Sequence, residues 1–111
     1  MKSPRHRKRE TPYLSRSAKH PSIAYIILPQ SVAPKDMTAM IYIGKTGAMA
    51  IQLLAEGGEF IVKRSSKRAS TRRLNIPKGM AEMFPVGTHD ISLRPVGSLL
   101  VVEMGVTTQS M

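Results

Sequence analysis

Shifting the chain by 48 residues along itself lays segment 13–33 (YLSRSAKHPSIAYIILPQSVA) on segment 61–81 (IVKRSSKRASTRRLNIPKGMA). Six of the 21 positions are identical: Arg16/Arg64, Ser17/Ser65, Lys19/Lys67, Ser22/Ser70, Pro29/Pro77 and Ala33/Ala81. Others keep their class, such as Leu14/Val62, Ile26/Leu74, Leu28/Ile76 and Val32/Met80. With a two-residue insertion in the second copy, the shift becomes 50, and 41–53 (IYIGKTGAMAIQL) falls on 91–103 (ISLRPVGSLLVVE), Gly47 on Gly97. Such a repeat limits the fold more sharply than composition does. A unit of 48 residues cannot bury a sizeable core alone, so two of them in a 111-residue chain must share one. The expectation is a single-chain pseudo-dimer with a pseudo-twofold axis.

Each copy has the same grammar. A short apolar strand (Tyr13–Arg16; Phe60–Arg64) leads into a polar or basic loop. A second strand runs into a proline (Ile23–Leu28, Pro29; Arg73–Ile76, Pro77), where a helical turn starts (Gln30–Ala33; Lys78–Phe84). Pro34 and Pro85 limit that turn. A glycine-centred hairpin follows (Met40–Ile43 with Met49–Leu54; Ile91–Leu93 with Leu99–Met104). Lys45-Thr46-Gly47 and Pro95-Val96-Gly97-Ser98 supply its turns. The order is β-β-α-β-β twice, joined at Ala55-Glu56-Gly57-Gly58. The expected fold is mainly β with short helices: one pseudo-dimeric domain over 13–105, its halves 13–57 and 58–105. A basic arm (1–12) precedes it and a short tail (106–111) follows.

The formal charge is +10, and it is concentrated. Residues 1–20 carry Lys2, Arg5, Arg7, Lys8, Arg9, Arg16 and Lys19 against Glu10, a net +6. Residues 60–73 carry Lys63, Arg64, Lys67, Arg68, Arg72 and Arg73 with no acid, again +6, and the rest sums to −2. Two basic clusters on a slightly acidic body point to a polyanionic partner. The arm alone could be a solvated, solubilising tail. The second cluster lies between apolar segments, where six like charges need a reason. Aromatics are 5% with no Trp, which disfavours base-stacking platforms. With no Cys there are no disulfides, thiolate zinc sites or Cys nucleophiles. No apolar run approaches the roughly 20 residues of a membrane span, and the N-terminus lacks the apolar stretch of a secretory signal. A cytoplasmic, basic protein with a polyanionic partner is expected.

The second copy resembles the AbrB/MazE/SpoVT family of swapped-hairpin DNA-binding domains. The resemblance rests on Phe60-Ile61-Val62-Lys63-Arg64, on Arg73-Leu74-Asn75-Ile76-Pro77-Lys78-Gly79-Met80 and on the hairpin 90–104. It covers 60–104 and, through the repeat, extends more faintly to 13–54. In that family two chains interleave into one barrel, so the resemblance implies an AbrB-like swapped-hairpin barrel with both halves in one polypeptide. It also implies DNA contacts from Lys63, Arg64 and Arg73, with Lys67, Arg68 and Arg72 in the adjoining loop. The chain departs from the family pattern at Ala81 and Met83, where helices of the family often carry Arg, and in the shortened Phe84–Thr88 segment. Tyr25 stands where the second copy has Arg73, and Ser15 where it has Lys63. Arg16 and Lys19 persist, so the two halves should bind unequally, or the arm should make up the charge. Only about six residues follow the last strand, which argues against the toxin-wrapping role of antitoxin members.

Other chemistry is weaker. Gly44-Lys45-Thr46 lacks the spacing of a phosphate loop and suits a hairpin turn. His6, His20 and His89 have no ligand spacing. His89-Asp90 lacks a nucleophile, and Glu82 and Glu103 read as surface carboxylates. Met37, Met40, Met80, Met83 and Met104 read as core filler. No metal, cofactor or enzymatic activity is expected. The expected function is binding of duplex DNA, in transcriptional regulation or DNA organisation. Lys and Arg of 60–73 would neutralise phosphates, Arg72 and Arg73 would reach base edges, and Ser65, Ser66, Ser70 and Thr71 would donate to phosphates. The arm Lys2–Arg9 would add unspecific contacts. The alternatives are an RNA- or ribonucleoprotein-associated protein and a protein–protein adaptor. Whether the pseudo-dimer forms a further homodimer is open.

Overall fold

The computed structural model describes residues 12–45, 47–64 and 70–104. Among them are eight strands: β1 Tyr13–Arg16, β2 Ala24–Leu28, β3 Met37–Ile43, β4 Met49–Leu54, β5 Phe60–Arg64, β6 Arg72–Ile76, β7 Gly87–Val96 and β8 Leu99–Met104. One short helix, α1 (Lys78–Ala81), lies between β6 and β7. The strands are antiparallel and close into a barrel in the order β1-β2-β6-β5-β3-β4-β8-β7. Closure leaves no edge strand open to pairing, and eight strands enclose a space that side chains can fill.

Alternation at period two decides what fills it. In β2, Ala24, Ile26 and Leu28 point inward; in β6, Arg72, Leu74 and Ile76 do. Leu14, Ile26, Leu28, Met49, Ile51, Val62 and Leu74 are the largest fully buried side chains. Each repeat supplies part of this single core. The ladder explains why. β2 pairs with β6, β3 with β5, β4 with β8 and β1 with β7, all between repeats. Only the four hairpin pairings, β1·β2, β3·β4, β5·β6 and β7·β8, stay within a repeat.

The pairing is unchanged when the repeats are exchanged. Ile26 sits opposite Leu74, its own repeat mate, and Ala50 sits opposite Val101. A twofold axis perpendicular to the barrel passes through these two points. The register corrects the sequence alignment of the second hairpin. Met37 pairs with Val62 as Leu14 pairs with His89, so β3 falls on β7 at a shift of 52. β4 falls on β8 at 51, not 50. A slip of one residue exchanges the inside and outside faces of a strand. Shift 51 places Ile51 on Val102, both buried. The diagonal contacts agree: Tyr42 Oη donates to Gln52 Oε1 at 3.1 Å, and at the equivalent positions Arg94 Nε donates to Glu103 Oε2 at 2.9 Å.

Several expected bounds move. β2 begins at Ala24, leaving Ile23 exposed, and β6 begins at Arg72. The segment Gln30–Ala33 is a single turn in which Val32 and Ala33 N–H donate to Pro29 O, not a helix. α1 stops at Ala81 rather than Phe84. β3 and β7 are longer than expected, so Pro95 lies in a strand rather than in a turn. Its place is tolerated because β1 pairs with β7 only as far as Asp90, leaving Pro95 with β8 alone. Met37 and Met80 pack against the core as expected, and Met40 is half-buried. Met83 and Met104 instead lie exposed.

Candidate nucleic-acid interface

Period two also sorts the basic residues of β5 and β6. Val62 and Leu74 face the core and pair with each other. Their neighbours Lys63, Arg73 and Asn75 therefore stand on the outer surface. Lys63 lies directly opposite Arg73 in the register. Like charges in that position destabilise a sheet. Together with Ile61 and Arg64, these residues line a shallow open groove of about 280 Å³. No described acid stands on β5 or β6.

Arg73 is held in place. Its guanidinium carbon lies 4.0 Å from the centre of the Tyr25 ring, a cation–π contact. Its Nε donates to Asn75 Oδ1 at 2.8 Å. That bond uses one of the five guanidinium N–H donors and leaves the outer nitrogens for a ligand. Tyr25 is the repeat mate of Arg73. The substitution that removes a charge from the first half thus supplies a platform for the charge in the second. Tyr25 was not expected as part of the site; its signal was the repeat alignment, which places it where the second copy has the arginine.

Arg72 points the other way. It is 7% exposed. Its Nη2 donates to Pro34 O at 3.1 Å. Its Nε lies 3.2 Å from Asp36 Oδ1, an ion-pair distance, yet the N–H is not aimed at the carboxylate and makes no hydrogen bond. The contact is Coulombic, with an acid whose side chain is 67% exposed. Arg72 ties β6 to the chain that ends the turn of the first repeat, so it does not reach a base edge as expected. Arg16 has the matching task at the other end. Its Nε donates to Pro21 O at 2.7 Å and its Nη1 to Phe84 O at 2.6 Å, the carbonyl just past α1 of the second repeat. These two arginines clamp one repeat to the other.

The remaining expected residues scatter. β1 and β5 run in opposite directions, so the loops after them leave opposite ends of the barrel. Lys19 is exposed, but at the end away from Arg64 and Arg72. Ser70 and Thr71 are half-buried beside β6. Lys67, Arg68, Ser65 and Ser66 lie outside the described residues, as do Arg5, Arg7, Lys8 and Arg9 of the arm, Thr46, His6 and the tail 106–111.

His89 Nε2 donates to Val86 O at 3.1 Å. Glu103 accepts from Arg94, and Glu82 is exposed. No group of three metal-ligating side chains gathers among the described residues. No described helix is long and apolar enough to cross a membrane. No family model, curated protein or solved structure matches the chain.

Proposed function

We propose that this protein binds duplex DNA through the outer face of β5 and β6, as a transcriptional regulator or DNA-organising protein. One observation carries the reading: Lys63 opposite Arg73 on an exposed face with no acid on either strand. A fold that needed only stability would not keep two like charges there. A row of phosphates neutralises them and releases counterions on binding. Arg73, with its plane fixed by Tyr25 and Asn75, is the residue prepared for a base edge or a bidentate phosphate. The resemblance of 60–104 to the AbrB/MazE/SpoVT family supports the same reading, as does the net charge of +10.

The test is fluorescence anisotropy with a labelled duplex over a salt series, for wild type and Lys63→Ser/Arg73→Tyr. Wild type should bind more weakly as salt rises. The slope of log affinity against log salt should fall by about 2 in the variant, one per lost phosphate contact. Duplex RNA should compete poorly. Salt-independent binding, or none at low salt, defeats the reading. RNA competing better than DNA transfers it to a ribonucleoprotein role.

A further inference from the structure

The barrel has a twofold axis, but its outer surface does not obey it. The axis passes between β2 and β6 and, on the outer face, relates Lys63 to Ser15 and Arg73 to Tyr25. At each of these positions the first repeat carries no charge. Its one retained strand cation, Arg16, is the mate of Arg64. Arg16 has both ends of its guanidinium engaged by the Pro21 and Phe84 carbonyls. Tyr25 is stacked under the Arg73 guanidinium, 4.0 Å from it. The described cations of this face therefore gather where Leu28 pairs with Arg72, and thin out where Ile76 pairs with Ala24.

We propose that the barrel engages duplex DNA from one half only. The groove of Lys63, Arg73 and Asn75 contacts the duplex, and the first repeat acts as a support. A symmetric protein dimer requires a target whose halves mirror its own twofold. A barrel whose outward strand cations lie on one half carries no such requirement. Its target is a non-palindromic segment, bound in one polarity. This inference rests on the DNA reading above and adds the geometry of engagement.

The chain has no cysteine, so a single introduced one is unique. Gln30 and Lys78 are repeat mates, both exposed, at opposite ends of the barrel. Gln30→Cys and Lys78→Cys in the full chain would each carry a tethered iron–EDTA group. With a labelled duplex, the Gln30 conjugate should cut several-fold more than the Lys78 conjugate. Equal cutting by both, with binding intact, overturns the one-sided geometry and leaves DNA binding standing. Stronger cutting from the Lys78 conjugate overturns it as well. No cutting together with no anisotropy change overturns the DNA reading itself. A second measurement does not depend on the tether. Lys19→Ser, at the end away from the groove, should leave the salt slope unchanged. A loss as large as that of Lys63→Ser would contradict the proposal.

Discussion

Arg72 and Arg73 are chain neighbours with opposite roles, because successive strand residues face opposite sides of a sheet. Arg73→Ala should weaken duplex binding and reduce the salt slope by about 1, with little change in melting temperature. Arg72→Ala should do the reverse. It removes a buried guanidinium from Pro34 O and Asp36, at a loss of roughly 1–3 kcal/mol. Thermal melts and anisotropy on both variants separate the roles; a fall in salt slope for Arg72→Ala without lost stability would reverse them. Tyr25 is a positioning residue for Arg73. Tyr25→Phe keeps an aromatic face and should bind like wild type, whereas Tyr25→Ser should weaken binding severalfold, the size of a partly exposed cation–π contact of about 0.5–1 kcal/mol. The basic cluster itself was plain in the sequence. Its division into inward and outward members required the strand to begin at Arg72, one residue earlier than composition suggests, since an arginine rarely opens a buried position without a partner. The partner, Asp36, lies far away in the chain and leaves no local signal.

At the scale of elements, repeat and strand spacing were readable because each strand has a buried face with period two. The hairpin register was not readable, since one residue more or less in a turn changes the shift while apolar residues still meet apolar residues. The ladder resolves it through Ala50 opposite Val101. The joint between repeats has a constraint of its own. Thr38 Oγ1 accepts from Gly58 N–H at 2.8 Å and donates to Leu54 O at 3.2 Å. A Cβ on Gly58 would come within 2.6 Å of Ala39 N and 2.8 Å of Ala39 O, both backbone atoms that cannot swing aside. Gly58→Ala should therefore destabilise the barrel by about 2 kcal/mol or more, seen as a fall in Tm of roughly 10 °C. Gly57, whose added Cβ would meet nothing within 4 Å but whose φ is +92°, should suffer only the smaller backbone penalty of the same change. Equal effects at the two glycines would show that close approach is not what fixes Gly58.

For the whole molecule, the interleaved ladder means that neither repeat is a folding unit. Cutting between Gly57 and Gly58 should give two fragments that are separately unfolded by circular dichroism and recover strand signal when mixed. A fragment that folds alone would contradict the shared core. Leu74, fully buried at the twofold opposite Ile26, ties the halves together. Leu74→Ala should lower stability by about 2–5 kcal/mol in one cooperative transition. On this scaffold the function depends on which outer face meets the ligand, and amide chemical shifts report that without altering a residue. Titrating a short duplex into the labelled protein should shift the amides of Ile61–Lys63 and Arg73–Asn75 first and furthest, leaving Ala50, Gln52 and Val101 on the opposite wall unmoved. Shifts centred on Ala50, Gln52 and Val101, or none in the barrel at all, would contradict DNA binding through β5 and β6.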